Sequence, residues 1–149
     1  MIYCKQEEPF GCAIACIAMI LDKTYQEIKS LLPHERGYGN RNGMTSHDYI
    51  SFMWTQGYIG MTTYACESHT QKIRQYDEWI KPLSKVNIVS TITENGPHAL
   101  VWDGRIIYDP NRDGTYLINH YKSIQAITGF WNLNYLIPEG LAIDKTTLK

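Results

Sequence analysis

No apolar run in this sequence is long enough to cross a bilayer. The longest, Ala13 to Leu21, falls well short of the roughly 20 residues that a membrane-spanning helix needs. It also lacks the basic flank and small-residue cleavage site of a secretory signal. A surplus of positive charge is missing too: 14 Lys and Arg stand against 15 Asp and Glu. That removes the electrostatic case for nucleic acid or an anionic membrane as partner. No internal repeat and no low-complexity tract is present. At 149 residues the chain is short for two domains but long enough to bury one core. Hydrophobic residues make up 44% and charged residues 19%, a balance that excludes an intrinsically disordered chain. The expected setting is a reducing cytosol, where the four cysteines are free thiols or metal ligands rather than disulfides. No cofactor is implied, and nothing sets an oligomeric state.

Read along its length, the chain begins with a polar, irregular stretch ending in Glu8-Pro9-Phe10-Gly11. The run from Cys12 to Leu21 is rich in Ala, Ile and Met, which favours a buried helix over a strand. Asp22-Lys23 breaks it. Thr24 with Glu27 forms a capping-box pattern ahead of Ile28, Leu31 and Leu32, and Pro33 stops this second helix. Residues 34 to 43, with Gly37, Gly39, Asn40, Asn42 and Gly43, read as a mobile loop. Thr45 with Asp48 suggests another cap, Tyr49, Ile50, Met53 and Trp54 recur at helical spacing, and Gly57 fits a helix end. Tyr58 to Cys66 looks extended, and Ile73 to Ile80 reads as a short helix stopped at Pro82. Asn87 to Ile92, Ala99 to Trp102 and Arg105 to Tyr108 read as strands, followed by a last pair of extended segments between Ile124 and Ile137. Helices first and strands later predict an α+β fold. It occupies residues 1–138 as one domain, with 139–149 as a polar tail.

Asp103-Gly104 between two apolar runs is a strong signal for a tight two-residue hairpin. With that loop, Trp102 pairs with Arg105, and counting outward His98 meets Asp109. Directly opposed residues share a face, with Cβ atoms roughly 4.5–5.5 Å apart. Turn chemistry therefore sets an imidazole beside a carboxylate that can fix its tautomer and support its cationic form. An ordinary cross-strand His–Asp pair needs no catalytic purpose, and a longer loop or a bulge breaks the count.

Gly11-Cys12 stands where the first helix should start. A thiol there feels the positive end of the helix dipole and unpaired backbone N–H groups, which favour the nucleophilic thiolate. The same N–H groups can receive the oxyanion that develops in acyl transfer. Gly11 leaves room for a substrate backbone. Cys16, one turn on and inside the apolar run, reads as a small buried residue. Cys4 and Cys66 carry no comparable context.

The ordered set Gln6, Gly11-Cys12-Ala13-Ile14-Ala15-Cys16, His98-Ala99-Leu100-Val101 and Asp109-Pro110 resembles the C39-type peptidases of the papain-like superfamily. The resemblance runs over most of residues 6 to 138. It implies a papain-like fold with N-terminal helices packed on an antiparallel sheet. It also implies Cys12 as nucleophile, His98 as general base and acid, Asp109 as the residue that orients the base, and Gln6 as an oxyanion donor. The substrate implied is a peptide or protein, cut at a peptide or isopeptide bond. Two departures are Gly11 before the cysteine and Ala13 after it, where the family usually has an acidic or similar residue and a glycine. No transporter segment is present, so the leader-peptidase role of the exporter-fused members is not carried over.

Two rivals stand beside this reading. Cys12 and Cys16, one turn apart, could join Cys66 and His69 in a zinc site. Alternatively, the fold could persist as a catalytically silent binding module. Within enzymes, the same chemistry also serves deamidation and acyl transfer. His34, His47 and His120 lie in polar settings and read as surface residues.

Overall fold

Ala13, Ala15 and Ala18 bring the first helix close to its neighbours, while Ile14, Ile17 and Met19 fill the space around it; all are buried. This helix, α1 (Cys12–Leu21), is the hub of an α+β fold. The computed structural model describes residues 1–64, 80–113, 115–121 and 123–136. Asp22 closes α1 in a left-handed conformation, φ 54°, which Asp tolerates better than most residues. Thr24 caps α2 (Tyr25–Leu31) by accepting the Glu27 N–H. Thr45 and Asp48 form a full capping box on α3 (Ser46–Thr55). Gly57, at φ 86°, ends that helix with its N–H on the Trp54 carbonyl. The stretch read as a loop holds one 3-10 turn, His34–Arg36.

Six strands form one antiparallel sheet in the order β1-β6-β2-β3-β4-β5. They are β1 (Tyr58–Tyr64), β2 (Val86–Thr93), β3 (Gly96–Trp102), β4 (Ile107–Tyr108), β5 (Thr115–Tyr116) and β6 (Ile124–Asn132). Side-chain alternation divides the core into two layers. Ile88, Ala99, Val101 and Phe130 pack with α1, α2 and α3. On the other face Val89, Leu100, Ile107 and Ile127 pack with Trp102, Tyr121 and Ile124. Each of the buried Val, Leu and Ile side chains contributes about 1.5–3 kcal/mol relative to exposure.

The structure departs from the sequence pattern at two places. The last segment is not a pair of strands: β6 runs unbroken to Asn132 and a helical turn, α4 (Leu133–Leu136), follows. The hairpin loop is longer than two residues. Val101 pairs with Tyr108 and Trp102 with Ile107, so Asp103 to Ile106 form the connection and Arg105 and Ile106 are not in the strand. The cause is local. The Asp103 carboxylate accepts the N–H groups of Arg105 (2.8 Å) and Ile106 (2.7 Å), and its own N–H reaches the Ile106 carbonyl. Asp103 thus opens the turn instead of sitting in its centre, while Gly104 takes φ 95°. The register moves by two residues, an even number, so every side chain keeps its face. The expected helix over Ile73 to Ile80, Cys66, and the tail from 139 lie outside the described residues, apart from Ile80 itself.

Candidate active site

His98 lies near the start of β3, where Thr91 of β2 is its cross-strand partner. β4 ends at Tyr108 and Asp109 follows it directly. With the shifted register, the partner of His98 would be Asn111 rather than Asp109. Imidazole and carboxylate meet on the diagonal: His98 Nε2 lies 2.6 Å from Asp109 Oδ1. Long side chains span such a diagonal within one face, so the longer loop preserves the pairing.

Both side chains are withdrawn from water, with 10% and 3% of their areas exposed. Burial alone would push the imidazole toward neutrality. Hydrogen bonding by Asp109, then polar contact and charge from Cys12, outweigh it and raise His98 to about 9. Burial would raise Asp109 likewise, but hydrogen bonds from His98, Tyr121 and the Asn111 N–H hold it below the usual carboxylate range. The Tyr121 hydroxyl donates to Oδ2 at 2.7 Å and the Asn111 N–H to Oδ1 at 2.9 Å. Since Asp109 takes Nε2, Nδ1 is the ring nitrogen left for the thiol.

Cys12 is the first residue of α1 and part-exposed. Its N-cap, Gly11, has no side chain to offer, so the first-turn N–H groups stay uncapped and give the thiol a positive end to face. Cys16 is fully buried, and burial pushes its thiol well up. Cys4, Cys12 and Cys16 are free thiols. Cys66 and His69, the other half of the zinc reading, lie outside the described residues. Among the described residues no group of three or more His, Cys, Asp or Glu is placed to hold a metal. His34, His47 and His120 are exposed.

Two expectations differ in detail. The Gln6 amide is not a free donor: its Nε2 donates to the carbonyls of Glu8 (3.0 Å) and Pro9 (3.3 Å), and the buried atom without a partner is Oε1. The space beside Gly11 is already filled. A Cβ there would lie 2.0 Å from the Tyr25 hydroxyl, so the glycine accommodates Tyr25 rather than a substrate backbone. Tyr25 donates to Glu8 Oε1 at 2.8 Å, and Lys29 pairs with the other Glu8 oxygen. This network, which the sequence did not signal, sets the loop that delivers Cys12.

The N-terminal segment joins the two halves of the site. The Gln6 N–H donates to the Pro110 carbonyl at 3.0 Å. The Tyr3 hydroxyl donates to the carbonyls of Asp109 (2.7 Å) and Arg112 (2.9 Å). Sequence reasoning missed Tyr3, Tyr121 and the Asn111 N–H. Only the last had a signal, since an Asp often bonds the backbone N–H two residues on.

A polar depression of about 410 Å³ flanks the pair, lined by His98, Asp109, Thr91, Arg112, His120 and Ser123 among others. A larger one, about 820 Å³, lies by Tyr58, Val86 and Trp131 and touches neither Cys12 nor His98. No helix among the described residues is long and apolar enough to cross a membrane. No protein-family model and no curated protein sequence matches this chain.

Proposed function

We propose that this chain is a small papain-like cysteine hydrolase of the C39-like kind, opening a peptide or isopeptide bond in a protein or peptide substrate. The observation that carries the reading is the His98–Asp109 contact of 2.6 Å, with Cys12 acting on the same imidazole from the uncapped start of α1. A thiol, a base and an orienting carboxylate are the parts that nucleophilic acyl transfer needs.

In this scheme His98 Nδ1 takes the Cys12 proton and the thiolate attacks the scissile carbonyl carbon. The developing oxyanion is received by the Cys12 N–H. His98 then returns the proton to the leaving amine, and an acyl-thioester remains. Water adds to the thioester as His98 removes its proton, and collapse releases the acid and restores the thiol. Asp109 keeps Nε2 occupied throughout. For Gln6 to serve as a second oxyanion donor, its amide must exchange the Glu8 and Pro9 carbonyls for the substrate oxygen.

That commitment of Gln6 also favours the second reading, a catalytically silent protein-binding module. A peptide library and a set of isopeptide-linked conjugates, incubated with the parent chain and with Cys12→Ala, distinguish the two. New termini formed by the parent alone support the hydrolase. No new terminus in either, together with a Cys12 that alkylates like an ordinary thiol, supports the module.

A further inference from the structure

We propose that Tyr121 is a positioning residue for this site: its hydroxyl, donated to Asp109 Oδ2, keeps the carboxylate ionised and turned so that Oδ1 faces His98. The proposal rests on the hydrolase reading for its purpose, though the interaction itself can be tested without turnover.

Asp109 is 2% exposed, so its two oxygens depend on protein donors. Oδ1 has two, His98 Nε2 at 2.6 Å and the Asn111 N–H at 2.9 Å. Oδ2 has Tyr121 at 2.7 Å. Without that hydroxyl, a buried anionic oxygen loses its donor, and the carboxylate is freer to rotate or to take up a proton. Tyr121 is itself held. It is 8% exposed, and it meets Tyr116 and His120 edge-on, with ring centroids 6.4 Å and 5.3 Å away.

The other ionisable groups around the pair come from every side. Cys12 of α1 acts on His98, and the buried Cys16 of the same helix feels Asp109. Tyr3 approaches from the N-terminal segment but bonds the Asp109 carbonyl. Arg112 and Tyr116 act on Tyr121 rather than on the carboxylate. Burial first, and then Asp109, push the Tyr121 phenol far above its ordinary range, so it stays protonated and a donor well above neutral pH.

The test is Tyr121→Phe in the full chain, which removes the hydroxyl and keeps the ring. The Asp109 carboxyl is followed by 13C NMR titration, assigned against Asp109→Asn, and unfolding by urea is followed across pH. The Asp109 midpoint is expected to rise. The unfolding constant should grow roughly ten- to a hundredfold at pH 7, as for loss of a hydrogen bond to a charged group. That excess should shrink as pH falls through the carboxylate range. An unmoved midpoint, or a penalty equal at every pH, overturns the proposal, because lost packing alone does not titrate. If the variant does not fold, Asp109→Asn gives the reciprocal reading: Tyr121, relieved of its anion, should ionise at lower pH, and an unchanged Tyr121 titration is equally fatal. Neither readout involves a substrate, so failure of the hydrolase reading leaves a separate trace.

Discussion

Gly11 is a position where one added methyl group meets a wall. The Tyr25 hydroxyl would lie 2.0 Å from that carbon and two ring carbons 2.8 and 2.9 Å from it. Tyr25 is 3% exposed and anchored on Glu8, so it cannot easily yield. Gly11→Ala is expected to cost about 1–3 kcal/mol, as overpacking does, and to slow alkylation of Cys12 by disturbing its loop; urea unfolding and thiol labelling check the two effects. The His98–Asp109 pair predicts a pH signature. Asp109, lowered in the fold, contributes stability above the unfolded carboxylate range and loses it as pH falls through the folded value. His98, raised from 6.5 to about 9, contributes fully below 6.5 and loses its contribution as pH rises through about 9. The parent should therefore exceed Asp109→Asn in stability most between the carboxylate range and about pH 6.5, with the gap narrowing both below the folded Asp109 value and as pH rises through about 9. A gap that does not vary with pH would count against the pair. On the hydrolase proposal, His98→Ala should remove nearly all turnover and Asp109→Asn somewhat less, because in that scheme only His98 moves the proton.

At the level of elements, the β3–β4 hairpin decides whether His98 and Asp109 meet. Its four-residue loop is held by the Asp103 carboxylate, which accepts two N–H groups. Asp103→Ala is expected to cost roughly 1 kcal/mol and to lower turnover with it, since His98 and Asp109 flank this turn at a distance; unfolding and activity measured together check it. The hairpin also shows what sequence can and cannot say. Asp103-Gly104 announced a turn, but not whether Asp103 opens it or sits at its centre, because an Asp side chain can replace backbone in the first role. The even register shift kept the faces, so the His–Asp contact was legible although the counted pairing was not. The start of α1 at Cys12, the caps at Thr24 and Thr45, and the ending at Gly57 were readable because each depends on neighbours within a few residues. Tyr121, Tyr3 and the Tyr25–Glu8–Lys29 network were not readable, since their partners are brought in by the fold. The β6–α4 ending was misread because nothing in its apolar composition separates one long strand from two short ones.

Across the whole molecule, the site is an agreement between two layers. The helical layer supplies Cys12, the sheet supplies His98 and Asp109, and the segment from Tyr3 to Gln6 ties them together through Asp109, Pro110 and Arg112. Such a tie holds the loop after β4 against the N-terminal segment without touching Cys12 or His98. Tyr3→Phe, which leaves Cys12, His98 and Asp109 intact, is expected to lower Cys12 reactivity and stability together. Urea unfolding and labelling rates would show this, and reactivity unchanged beside lost stability would make the tie structural only. The central claim is that Cys12 and His98 work as one unit. The direct measurement is the alkylation rate of each cysteine against pH, resolved by mass spectrometry, in the parent chain and in His98→Ala, with and without a chelator. Cys12 is expected to label first, His98→Ala to slow its labelling across the pH range, and Cys16 to label only on unfolding. A Cys12 profile indifferent to His98→Ala, or Cys12 and Cys16 protected together until the chelator releases both, would contradict it.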